Sequence, residues 1–112
     1  MQTWMVWTEK PISTVSLRQF ARDLGSTTSE VNDDAVIERG EARVYISRAD
    51  PSDQENVLPD DVEYAKKRMG TTPASMLSIR IGHGIGSVDL ATDVAGRAVE
   101  TWGGFLDENE PA

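Results

Sequence analysis

The order of amphipathic segments predicts an α+β domain with a single mixed, mostly antiparallel sheet of four to five strands and three helices. Three observations carry this reading. Stretches with strand and helix periodicity alternate as β-α-β-β-α-β-α-β. Two strand-like stretches, Ala35–Arg39 and Ala42–Arg48, flank Gly40-Glu41 closely enough to form a hairpin. The chain has 112 residues, with no internal repeat and no linker that would divide it, so residues 1–112 read as one domain.

Thr3–Thr8 reads Thr-Trp-Met-Val-Trp-Thr, four consecutive apolar residues with no polar face, which suits a central strand covered on both sides. Leu17, Phe20, Ala21 and Leu24 then fall on one helical stripe. Ser16 and Gln19 are placed for a capping box, and Gly25 for the stop. Gly25–Asp34 is polar and reads as a loop. In Ala42–Arg48, Ala42, Val44 and Ile46 alternate with Arg43, Tyr45 and Ser47, giving one buried and one wet face. Asp50–Leu58 is an acidic loop. The helix that follows is expected to be capped by Asp60 with Glu63, to end in Lys66–Arg68, and to stop at Gly70. Its apolar positions, Val62, Ala65 and Met69, are sparse, so it should be half exposed. Met76–Ile81 alternates again. A glycine-rich turn leads to Ser87, expected as the cap of a last helix striped by Ala91, Val94, Ala95, Ala98 and Trp102. Gly103 ends that helix, and Gly104–Asp107 could close the sheet as a short strand.

The first six elements follow the order of a split βαβ, ferredoxin-like motif, which would place the helices on one sheet face. A first strand apolar on both sides conflicts with that. Either the third helix covers the second face, or the N-terminal aromatics meet a partner. Trp102 ends the helical stripe and reads as core. Trp4 and Trp7 lie on opposite faces of their strand, one expected in the core and the other open to a role as an exposed anchor.

Composition excludes several function classes. There are no cysteines, which removes disulfides, thiol catalysis and zinc–thiolate sites. No apolar run approaches the length of a membrane span, and a cytoplasmic protein without membrane contact is expected. Eleven basic against nineteen acidic residues give a net charge of −8, which disfavours nucleic acid and favours a basic partner. The excess is uneven. Residues 1–48 hold seven acids and six bases, whereas residues 49–112 hold twelve acids and five bases. Asp50, Asp53, Glu55, Asp60, Asp61 and Glu63 follow one another with no intervening base, and Asp107, Glu108 and Glu110 close the chain. Two of these acids have a local reason, since Asp60 and Glu63 suit a helix start. Asp50, Asp53, Glu55, Asp60, Asp61, Asp107, Glu108 and Glu110 are the candidate partner-binding residues, because a field of one sign speeds encounter with its opposite.

Chemistry-bearing patterns are few. Gly82-His83-Gly84-Ile85-Gly86-Ser87, between a strand and a helix, is a context in which backbone N–H groups can cradle an anion. The segment Ile81–Ser87 resembles the pyrophosphate loop of GCN5-related N-acetyltransferases, with Ile81 where that family carries Gln or Arg. The resemblance implies acetyl-coenzyme A binding by the amides of Gly82 to Ser87, and an acyl-coenzyme A or phosphate-ligand protein is the alternative functional reading. The bottom-up reading of the same glycines is a tight strand-to-helix turn. His83 is the only histidine, and no Gly-x-Ser-x-Gly elbow accompanies it. One histidine without cysteine makes a histidine-based metal site implausible. The acids of 50–61 lack the order and central glycine of a calcium loop. No catalytic residue, cofactor or metal is therefore expected, and the chain reads as a non-enzyme.

Small size, acidity and the absence of a catalytic constellation resemble the immunity proteins of contact-dependent growth inhibition and related bacterial polymorphic toxin systems. The ending Trp102-Gly103-Gly104-Phe105-Leu106-Asp107 after a helix is similar to that of some short bacterial proteins of this kind. The resemblance implies a partner that is a basic toxin domain, such as a nuclease, whose active site the acidic surface blocks.

Overall fold

A computed structural model describes residues 2–25, 27–28, 35–53 and 57–107. The elements run β1 (Thr3–Thr8), α1 (Thr14–Asp23), β2 (Thr27–Thr28), β3 (Ala35–Arg39), β4 (Ala42–Ala49), α2 (Pro59–Met69), β5 (Ser75–Ile81), α3 (Ser87–Trp102) and β6 (Phe105–Asp107). The α+β class and the three helices are as the sequence predicts. Thr27–Thr28, within the segment read as loop, adds a two-residue strand paired with β3.

The strands form one sheet in the order β2-β3-β4-β5-β1-β6, and every neighbouring pair is antiparallel. The elements begin in the order of a split βαβ, but the pairing differs. A βαβ unit makes its strands parallel, whereas here β5 sits antiparallel between β4 and β1. The β3–β4 hairpin turns through Gly40-Glu41 with Arg39 opposite Ala42, and Gly40 takes a positive φ of 63°.

The helices are shared between the faces, which corrects the one-face expectation. On the first face α1 and α3 pack Leu17, Phe20, Ala21, Leu90, Val94, Ala98 and Trp102 onto Trp4, Val6, Ile37, Val44, Ile46, Leu77 and Ile79. On the second face it is α2, and not α3, that covers the sheet. It sets Ala65, with Val62 and Met69, over Trp7, Met76, Met5, Ala49 and Phe105. Period-2 alternation in β1 sends Trp4 to one layer and Trp7 to the other. Both are buried, at 5% and 0% exposure, so neither is an exposed anchor. Removing a Trp of this kind costs about 3–5 kcal/mol.

Helix ends also depart from the expectation. Ser13, not Ser16, caps α1, its hydroxyl accepting the Ser16 N–H at 3.0 Å. In α2 the cap position is Leu58, with Pro59 in the first turn, so Asp60 and Asp61 lie inside the helix and Asp60 is not its cap. They still sit where the helix dipole favours negative charge. Proline takes the first position because its missing N–H would have had no intrahelical acceptor. Gly70 stops α2 in the left-handed conformation, and Gly103 stops α3, donating to Val99 O at 2.8 Å.

Candidate functional site

The acidic stretch begins immediately after β4. Asp50 is exposed and folds its carboxylate back on Ser52, accepting from the backbone N–H at 2.9 Å and the hydroxyl at 2.8 Å. These two donors, the backbone one first, hold the Asp50 carboxyl below its ordinary range. Asp53 N–H donates to Asp50 O, and Val57 N–H to Asp53 O, each at 2.9 Å. Val57 is buried under α2 and anchors the end of this loop. Asp60 is exposed and Asp61 half-buried in the first turn of α2, with Glu63 exposed beyond them. The side chains of Asp60, Asp61 and Glu63 make no hydrogen bond or ion pair among the described residues.

Glu55, Glu108 and Glu110 lie outside the described residues. Asp107 differs from the other candidates. It is only 7% exposed, placed opposite Met5 in the β6–β1 ladder, so it drops out of the candidate docking residues. The sequence carried only part of this signal. A strand through Gly104–Asp107 leaves alternate residues facing the protein, and charge alone does not decide which.

Elsewhere among the described residues, three ion pairs form. Arg39 and Arg97 both reach Asp93, at 3.3 and 3.2 Å, and Arg43 reaches Glu38 at 3.4 Å. These pairs draw on β3, β4 and α3 and use none of the acids between Asp50 and Glu63. The bases of α2, Lys66–Arg68, are at its far end, where Arg68 lies 4.6 Å over the Phe105 ring. Negative charge is therefore concentrated at the start of α2 and in the loop before it.

The glycine-rich turn is used internally. Gly82 N–H donates to Arg43 O at 2.9 Å and Ser87 N–H to Gly84 O at 3.2 Å, which occupies two of the amides that an anion would need. A Cβ on Gly82 would lie 2.7 Å from Arg43 O, and one on Gly84 would run into Glu41 O. The glycines let the turn press against the β3–β4 hairpin. Ser87 is the first residue of α3 rather than its cap, and its buried hydroxyl accepts the Arg43 N–H at 3.0 Å. Gly86 holds the cap position with a φ of 84°. His83 is exposed. No group of three His, Asp or Glu side chains suited to a metal occurs among the described residues, and no described helix is long and apolar enough to cross a membrane.

Two surface features were not read from the sequence. A groove of about 420 Å³ runs between α1 and the end of α3, lined by Val15, Gln19, Phe20, Asp23, Thr101 and Trp102. On the second sheet face α2 stops short, leaving Tyr45, Ser47, Ser78 and Arg80 around a depression of about 80 Å³. Both depend on which elements become neighbours, and periodicity does not specify that.

No family model matches the chain, and neither curated proteins nor solved structures give a significant match.

Proposed function

We propose that this chain is a non-catalytic binding protein that neutralises a basic protein partner, in the manner of an immunity protein blocking a bacterial toxin domain in the cytoplasm. The observation that supports it is the concentration of Asp50, Asp60, Asp61 and Glu63 within one short loop-and-helix stretch, these four carboxylates making no ion pair among the described residues. Carboxylates already engaged by lysine or arginine would have little field left to offer. Helix α2 suits such a role because it buries only Ala65 and leaves most of its side chains in solvent. A partner nuclease keeps a basic surface for phosphates, and carboxylates can occupy the same positions. Association should be fast and should slow as salt rises, because the screening length is about 8 Å at physiological ionic strength.

The test is capture from the native host on immobilised full-length protein, beside an Asp50→Lys/Asp60→Lys/Asp61→Lys variant and its Asn counterpart. The expected result is one basic protein, retained by wild type and lost by the lysine variant. Equal retention by a lysine variant that melts like wild type would show that the acidic stretch is not the docking surface.

A further inference from the structure

The second sheet face is divided by α2. One row across it, Phe105–Trp7–Met76–Ala49, is apolar and covered. On β4 and β5 the next two rows are polar. Ser47 stands directly opposite Ser78, and Tyr45 directly opposite Arg80. Residues two apart on a strand share a face, so the four side chains form a square, two from β4 and two from β5. Cross-strand neighbours of this kind stand about 5 Å apart, and neighbours along a strand about 7 Å. The depression they line holds about 80 Å³, room for one tetrahedral oxyanion.

The chemistry of the square is that of a donor set. The Arg80 guanidinium is held 5.1 Å over the Tyr45 ring and has no carboxylate partner among the described residues. The hydroxyls of Ser47 and Ser78 are half-buried and likewise make no hydrogen bond among the described residues. A guanidinium braced by an aromatic ring has lost part of its rotamer freedom already, so less is lost when it grips a ligand. The described acids that share this sheet face do not cancel it. Glu38, opposite Arg43, is engaged by that arginine. Asp107 is buried in the row of Ser78 but two strands away, beyond Met5, about 10 Å by strand spacing.

We propose that Arg80, Ser47 and Ser78, with Tyr45 as a brace, form a binding site for a small phosphate-type oxyanion. Arg80 supplies two parallel N–H donors to a pair of oxygens, and the serine hydroxyls donate to the others. The site is separate from the acidic stretch and stands or falls independently of the proposed partner.

The test is a titration of the full chain with inorganic phosphate, followed by amide and arginine side-chain NMR signals. Ionic strength is held constant with sodium chloride, and acetate is run as a parallel arm. Wild type should show saturable shifts confined to Tyr45, Ser47, Ser78 and Arg80. Arg80→Gln should abolish them, and Ser78→Ala should weaken binding about tenfold, the scale of one lost hydrogen bond to a charged group. Both positions lie at the surface of the face. Should one variant fold poorly, the other still decides. The proposal is overturned by any of four results: shifts that do not saturate, shifts that chloride reproduces, affinity kept by Arg80→Gln or Ser78→Ala, or acetate binding as tightly as phosphate.

Discussion

Gly84→Ala is the substitution that most directly separates a packing role for the glycine-rich turn from a ligand-binding one. The added methyl group would run into the carbonyl of Glu41, which is backbone and cannot rotate away. Relief requires the Gly40-Glu41 turn to move off the loop. Two hydrogen bonds resist that movement, Gly82 N–H to Arg43 O at 2.9 Å and Arg43 N–H to Ser87 Oγ at 3.0 Å. Overpacking of this kind costs about 1–3 kcal/mol, and each hydrogen bond stretched in the process about 1 kcal/mol more. Alanine returns about 0.4–1 kcal/mol by restricting the unfolded chain. The net loss is then about 2–4.5 kcal/mol. An unfolding entropy of about 2.1 cal/mol/K per residue over 112 residues converts that to a fall in Tm of about 10–20 °C. Thermal unfolding followed by circular dichroism measures it. Gly96→Ala is the internal control. Gly96 lies on the exposed side of α3 with open space around its missing Cβ, so alanine there should raise stability by about 0.5–1 kcal/mol. A Gly84→Ala protein melting within about 2 °C of wild type would refute the packing account, since that corresponds to about 0.5 kcal/mol.

Two further outcomes follow from individual contacts. Ser87→Ala removes the acceptor of the Arg43 N–H in a site where the serine is only 2% exposed, and should cost about 1–3 kcal/mol in urea unfolding. Hydrogen exchange should quicken at the Arg43 amide in particular; a loss confined to the first turn of α3 would mean that Ser87 acts as a cap after all. Asp50, held below the ordinary carboxylate range by Ser52, stabilises the loop at neutral pH, and its contribution is lost as pH falls through its lowered folded value. Carboxyl NMR titration should show the Asp50 midpoint below that of a model aspartate and rising in Ser52→Ala, which deletes the hydroxyl donor and keeps the N–H. A midpoint unchanged by Ser52→Ala would deny the hydroxyl a part.

Much of the fold was legible because side-chain period follows backbone geometry. The alternation of Ala42, Val44 and Ile46 placed them on one face, and the stripe ending at Trp102 placed α3 on the core, before any pairing was known. The helix stops at Gly70 and Gly103 were legible for an equally local reason, the conformational range of a residue without a Cβ. The starts were harder. Several serines and aspartates near each start are chemically able to cap, and the tertiary path of the chain selects among them. Ser87 shows this, since its hydroxyl serves the β4 backbone across the fold and not its own helix.

The candidate site divides along the same line. The sequence by itself determined the charge of −8, its concentration after residue 48, the absence of cysteine chemistry and the alternation that makes each strand two-faced. Those properties are local or additive, and no neighbour in space alters them. Only the tertiary structure decided that Asp107 is buried while Asp60 is exposed, that both Trp4 and Trp7 enter the core, and that α2 rather than α3 covers the second face. It alone set Arg80 beside Tyr45 and Ser47 beside Ser78. Each of these depends on which strand lies next to which. That choice is made by the collective burial of apolar rows across the whole sheet, a sum over residues far apart in the chain that no single segment encodes.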